Sequence, residues 1–353
     1  MRKKLTLGVV LAAAALGVGV YLWHSGYKAS AQVVELDRSI VALLPANATT
    51  LVGVNVERLK GTPIYRYVED ESRKKDGQSH FDEFSAMTGL DPRRDVDRLL
   101  IAAWGNGAAR SGTGQTQFVG VARGRFQAAN LTQLIKEKKG TVENYRGFEI
   151  FSPEEKAAAI PNVQGNQRHE QGAFTFLDDK TALAGSLEAV KAAIDRKVGG
   201  GPTLLDNTAL LSRAQTISAT NQVWAVSQKP GDVMAQALPK EGPAESSNFA
   251  RVFSSMQNST FALDFMNGLE LHAGGVCQSP QDAKTLADAA RGMVAFGRLS
   301  ASQKDPEMMT LFDGIQIEER GAELGVTVRI DLASFEKLLE KSRSKESRSA
   351  SLN

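Results

Sequence analysis

One cysteine stands in 353 residues, at Cys277. No intramolecular disulfide can form, so the chain must rest on its apolar core, and its length is sufficient for one. Cys277 ends an apolar strand pattern and reads as a buried structural thiol, not a nucleophile. Histidine is nearly as scarce, with only His24, His80, His169 and His272. No pair has H-x-x-x-H spacing, and neither C-x-x-C nor H-E-x-x-H occurs, which removes zinc sites of known spacing. G-x-S-x-G and the P-loop are also missing. Aromatic residues make up 7% of the chain and mark no evident ligand pocket. No catalytic, cofactor-binding or metal-ligating residue is assigned, and no cofactor is expected.

Near matches fail on context. Gly105-Asn106-Gly107 begins like a dinucleotide fingerprint, but Arg110 holds the third glycine position and a strand pattern comes next. A pyrophosphate site needs a helix N-terminus there. Ser334-Phe335-Glu336-Lys337 fits S-x-x-K without K-T-G or S-D-N. Asp178-Asp179 sits between two strand patterns, where aspartates serve turn geometry. Paired carboxylates for glycosidase-type chemistry stay open, since forty acidic residues offer many accidental pairs.

Charge of one sign is lacking as well. The first 31 residues carry four basic groups and no acidic one; without them 42 basic and 40 acidic residues become 38 and 40. A nearly neutral body lacks the clustered basic face that nucleic-acid binding requires. The one basic cluster, Lys341 to Ser349, is polar, aperiodic and expected to be a disordered, solvated tail.

The N-terminus supplies the strongest signal. Arg2, Lys3 and Lys4 precede Leu5 to Trp23, nineteen uncharged residues. As a helix they would span roughly 29 Å, about one hydrocarbon core. The positive-inside rule sends the C-terminal bulk of the chain out of the cytoplasm. Ala29-Ser30-Ala31 is an A-x-A site, so cleavage before Gln32 would release a secreted or periplasmic protein. A run longer than a signal h-region, with Tyr21, Trp23 and Tyr27 at its end, fits a single-pass anchor equally. With no cysteine near the run, a lipoprotein is set aside.

Patterning predicts an α+β fold of two related domains, each an antiparallel sheet with helices packed on one face. The boundaries are 1–31 for the signal or anchor, 43–218 and 219–341 for the domains, and 342–353 for the tail. In the first half, Ala42 to Val56 is expected to hold a turn at Pro45-Ala46-Asn47 and then a strand, with further strands at Arg98 to Trp104, Phe118 to Ala122, Phe148 to Phe151, Ala173 to Leu177 and Thr181 to Ala184. Helices are expected at Glu57 to Val68, Phe81 to Met87, after Asn130 with Leu131, Leu134 and Ile135 inward, and after a Ser186 cap with Leu187, Val190 and Ile194 inward. The second half begins again at Val223 to Val226, followed by helices near Gly231 to Leu238 and ending near Met256. Phe261-Leu263-Phe265 and Leu269-Leu271 alternate; a three-residue loop, Met266-Asn267-Gly268, puts Leu263 opposite Leu271 and needs a left-handed Gly268. His272 falls on the outward face. A helix near Gln281 to Ser300 puts Leu286, Ala289, Met293 and Phe296 inward. Strands come next at Ile315-Ile317 and Leu324 to Ile330, the latter with Glu323, Gly325, Thr327 and Arg329 on a wet face. Asp331 starts a last helix with Leu332, Phe335 and Leu339 inward. Trp104 and Trp224 either line a cleft or fill cores, with core the default reading.

Five stretches together carry a likeness: LLPANATTLVGVNV, GLDPRRDVDRLL, NYRGFEIF, FTFLDDKTALAGSLEAVKAAID and PTLLDNTALLSR. They resemble a family of uncharacterised bacterial envelope proteins with one N-terminal apolar segment and repeated α+β units. The likeness covers Leu43 to Arg213 and implies fold and location, with no catalytic residue to carry over. The leading functional expectation is a non-enzymatic, exported or anchored envelope binding or scaffold module for an unnamed partner. A carrier of a small apolar or lipid ligand and a hydrolase without a readable motif are the alternatives.

Overall fold

The structure, a computed structural model, describes residues 36–66, 85, 91–105, 116–126, 140–152, 172–218, 221–230, 255–301 and 306–338. The expected segment Leu5 to Trp23, the helices at Phe81 to Met87 (apart from residue 85), after Asn130 and at Gly231 to Leu238, and the C-terminal tail lie outside the described residues. So do His24, His80 and His169. Among the described residues, no helix is long and apolar enough to cross a membrane. The fold is mixed α and β, dominated by antiparallel sheet. It divides into two compact units: Gln32–Lys60 with Val68–Ala219, and Thr220–Asn353 with Gly61–Tyr67.

The first unit holds strands β1 (Thr50–Asn55), β2 (Val96–Gly105), β3 (Thr116–Gly124), β4 (Thr141–Tyr145), β5 (Phe148–Ser152), β6 (Gly172–Asp178) and β7 (Thr181–Ser186). Their order is β1-β2-β3-β7-β6-β5-β4, every pairing antiparallel. Its helices are α1 (Arg38–Val41), α2 (Val56–Lys60), α3 (Pro92–Asp95), α4 (Leu187–Gly199) and α5 (Thr208–Ser218). Helix α4 packs over β3, β6 and β7, burying Val190 and Ile194 as their spacing demands. Ser186 occupies its N-cap position, but the hydroxyl is buried and makes no cap bond, contrary to the expected capping role.

Two stretches far apart in sequence close this unit. Leu204 N–H donates to Leu44 O at 2.8 Å, and Asn207 Nδ2 donates to Ala46 O and Ala48 O at 3.0 Å each. Thr203 and Asp206 form a reciprocal capping box, and Asn207 Oδ1 accepts from Leu210 N–H at the start of α5. The residues of LLPANA and TLLDN are therefore chosen for each other.

The second unit holds β8 (Val223–Ser227), β9 (Met256–Asp264), β10 (Gly268–Cys277), β11 (Ile315–Arg320) and β12 (Glu323–Asp331), ordered β8-β9-β10-β12-β11 and antiparallel throughout. Met256 opens a strand, and the helix expected to end near it lies outside the described residues. Helix α6 (Pro280–Ala301) packs on β10, β11 and β12, and α7 (Pro306–Asp313) packs on α6, β11 and β12. Residues 332–338 are helical, and Phe335 stacks on Phe265 with ring centroids 6.4 Å apart. Leu263 lies opposite Leu271, the register of the three-residue loop, and Gly268 has φ +124°.

Several expectations need correction. The stretch from Glu57 to Val68 is not one helix: α2 ends at Lys60, and residues 63–66 form a separate helical segment after Thr62, whose Oγ1 accepts from Tyr65 N–H. Pro63 has no N–H to extend the first helix and suits the start of the next. The expected wet face of β12 is wet only at its ends, because Gly325 and Thr327 are buried. His272 pairs with Thr327 on one side and Ala262 on the other, and it is buried with them rather than facing outward. Trp224 is core, whereas Trp104 is half-buried and donates from Nε1 to Gln117 Oε1 at 3.0 Å.

A Cβ on Gly268 would lie 2.2 Å from Ile330 O in addition to straining a positive φ. Gly268→Ala is expected to destabilise the protein by about 2 kcal/mol or more in urea unfolding. Gly292→Ala, at an open helical position, is expected to stabilise by about 0.5–1 kcal/mol.

Candidate functional site

Helix α6 changes character along its length. At its start Ser279 Oγ accepts from Asp282 N–H at 3.1 Å and donates to Asp282 Oδ2 at 2.6 Å, with Pro280 in the first helical position. Ala283, Leu286 and Ala287 then bury against Met256, Cys277 and Leu324, with Ile317 beside them. Past Ala290 the inward side continues only through Val294, Gly297 and Ala301. These are small residues, and a Cβ on Gly297 would lie 2.3 Å from the Phe312 ring. Close approach of α7 is what keeps this stripe small.

The large apolar residues of the same segment point elsewhere. Met293 is 49% exposed, Phe296 73% and Leu299 79%. At about 100° per residue, Phe296 and Leu299 lie roughly 140° and 160° from the centre of the buried stripe. The expected inward placement of Met293, Phe296 and Ala289 is thus overturned, while that of Leu286 holds. Leu286 to Met293 is two turns, so the two residues share a face in the sequence; the small stripe one step round the helix is the better match to the fold. Met308, Met309, Leu311 and Phe312 of α7 are half-buried beside this end.

The cations bordering the patch are turned back onto the fold. Arg291 Nη1 bonds Asp288 Oδ1 at 3.1 Å and Glu319 Oε2 at 3.0 Å. Arg298 Nη2 bonds Phe312 O at 3.1 Å and Asp313 Oδ1 at 3.2 Å. The surface between them is apolar and locally neutral. Such a surface does no proton chemistry; it gains free energy only by leaving water.

The polar clusters are structural by comparison. Glu270 Oε1 accepts from His272 Nε2 at 2.9 Å and from Arg329 Nε at 2.8 Å. Glu270, His272 and the neighbouring Thr327 have the residue types of a hydrolase triad. Thr327 is nevertheless 1% exposed in mid-sheet, its hydroxyl makes no hydrogen bond, and no substrate reaches it. Burial holds the His272 imidazole below its ordinary value, against the pull of Glu270. Burial would raise the Glu270 carboxyl, but bonds and charge from Arg329 and His272 hold it below its usual range.

Cys277 is buried, and that burial raises its thiol to about 11, far from a reactive thiolate. Asp178 Oδ1 accepts from Lys180 N–H at 2.9 Å, the turn role expected of it. Asp331 Oδ1 accepts from Ser334 N–H at 2.9 Å and starts the last helix, so the S-x-x-K residues belong to a cap and a core contact. Gly105 ends β2, and Asn106-Gly107 lies outside the described residues. Among the described residues, no three His, Cys, Asp or Glu side chains converge as a metal group would need.

No family model matches the chain. No curated protein matches it either. A solved structure described as crystal form I of TP0453 is similar at 11% identity, covering 83% of this chain and 93% of that one, with a TM-score of 0.41.

Phe296→Ser and Leu299→Ser are expected to shift unfolding free energy by no more than about 0.5 kcal/mol, whereas Leu286→Ala costs about 2–5 kcal/mol. Urea titration of the three variants checks this; comparable losses at all three positions would make the outer face core. Burial of His272 contributes a pH dependence between pH 7 and 5. Unfolded, the ring gains its proton near pH 6.5, while the folded ring stays neutral to lower pH. Its contribution is therefore complete above about pH 6.5 and is lost as pH falls below that value. Stability measured from pH 7 to 5 is expected to fall less steeply in His272→Gln.

Proposed function

We propose that this chain is a non-catalytic binding and scaffold module of the bacterial cell envelope, exported or anchored through Leu5 to Trp23. Its working surface is the outer face of α6 at Met293, Phe296 and Leu299. The observation that carries this reading is the exposure of those three side chains on a helix whose inner stripe is already satisfied by small residues. The uncharged Leu5 to Trp23 run behind Arg2, Lys3 and Lys4 supports the location. The described polar clusters are accounted for as caps, turns and cross-strand pairs, which adds nothing to the hydrolase alternative.

The two units are proposed to descend from one duplicated unit. What supports this is their strand order. In the first, β1-β2-β3 is followed by the return of the later hairpin, β7 pairing with β3 and β6 outside it; in the second, β8-β9-β10 is followed by β12 and then β11. A helix comes after the returning hairpin in each, α4 after β7 and residues 332–338 after β12. The β4–β5 hairpin is the addition in the first unit.

The surface is tested by placing a photo-cross-linking amino acid at position 296 of the full chain in intact cells. A reproducible envelope adduct, absent when the probe moves to position 284, is the expected result. No adduct at 296, together with turnover of an envelope substrate abolished by a single substitution, would replace this reading with an enzymatic one. The bait's own N-terminal peptide separates cleavage before Gln32 from retention of Leu5 to Trp23.

A further inference from the structure

We infer that the outer face of α6 docks on a phospholipid bilayer, its Met293, Phe296 and Leu299 side chains inserting at the boundary of headgroups and acyl chains. This rests on the binding-module reading and names the partner. Area argues first. With exposures of 49%, 73% and 79%, the three side chains present surface on the order of 350–400 Å². That is about half of the roughly 800 Å² each partner contributes to a stable protein interface. An interfacial helix, by contrast, inserts only its apolar face, and its binding scales with that area.

Composition argues the same way. Protein hot spots are enriched in Trp, Tyr and Arg and poor in Leu. The patch has neither Trp nor Tyr, and the guanidinium groups of Arg291 and Arg298 are bonded to Glu319, Asp288 and Asp313. Phe and Leu on the apolar face are what a bilayer interface accepts. Full burial of such side chains is worth about 1.5–3 kcal/mol each, too little for three of them to hold a free protein on a membrane firmly. An uncleaved Leu5 to Trp23 segment removes that difficulty, because a tethered chain meets the bilayer at high effective concentration. The neutral local charge makes the docking apolar in origin, so it does not require anionic lipid.

The test uses the full chain in phosphatidylcholine vesicles, with a polarity-sensitive fluorophore on Phe296→Cys or Leu299→Cys and on Lys284→Cys as the same-helix control. Cys277 is buried and its thiol raised to about 11, so it leaves the introduced thiol as the labelling site. Spin labels on the lipid acyl chains are expected to quench positions 296 and 299 at least about threefold more than position 284, equally at low and high salt. Phe296→Ser is expected to abolish the quenching at 299 while circular dichroism stays unchanged. Equal quenching at 284 and 296, no quenching at 296, or contact between labels at 296 on two copies would each overturn bilayer docking. Absent quenching combined with a protein adduct at 296 in cells would leave the binding-module reading standing with a protein partner.

Discussion

Between Ala290 and Ala301 the side of α6 that meets the fold offers Ala290, Val294, Gly297 and Ala301, and the Phe312 ring occupies the space a Cβ on Gly297 would need. Helices approach this closely only where side chains are small, since interiors are packed to crystal density. Once that stripe is committed to α7, the large side chains of the segment have nowhere inside to go. Met293, Phe296 and Leu299 are outside because the inside is already full. The first half of the helix has the opposite arrangement. Leu286 is buried there among Cys277, Met256 and Leu324 and supplies the anchoring free energy.

The rest of the molecule treats its polar groups economically. Arg123 bonds Asp37, Ser39 and Thr181, joining α1 to β3 and β7 within the first unit. Asp91 and Asp95 take Arg93 and Arg94 and bracket the short α3 at the entry to β2. Glu270 holds His272 and Arg329 across β10 and β12. Each cluster joins elements of its own fold, so these charges mark architecture. The Met293, Phe296 and Leu299 face, by contrast, is apolar and exposed.

Much of the architecture is legible because strand periodicity and turn chemistry are local. The Gly268 loop fixes the β9–β10 register, since a one-residue slip would reverse every side chain. Val190 and Ile194 are legible from helical spacing alone. What escapes depends on contacts distant in sequence. Patterning predicts no α7 before Ile315, because Met308, Met309, Leu311 and Phe312 form too short a pattern to declare a face. Without α7 there is no reason to place Gly297 inward, and Phe296 takes the core position by default. His272 reads as outward because alternation gives a face and does not say whether that face is covered. The surface that matters is therefore the least legible part, although both stripes of α6 are present in its sequence.

Hydroxyl-radical footprinting of the folded full chain in neutral buffered detergent, read residue by residue, tests the central claim most directly. Oxidation of Met293 is compared with that of the exposed Met266 and the buried Met256, and of Phe296 and Leu299 with the buried Leu286. The account predicts that Met293 reacts at a rate close to Met266, that Phe296 and Leu299 react readily, and that Met256 and Leu286 are protected. Protection of Met293, Phe296 and Leu299 to the level of Met256 and Leu286, unchanged on exchange to a non-micellar amphipathic polymer, would put them in the core and contradict it.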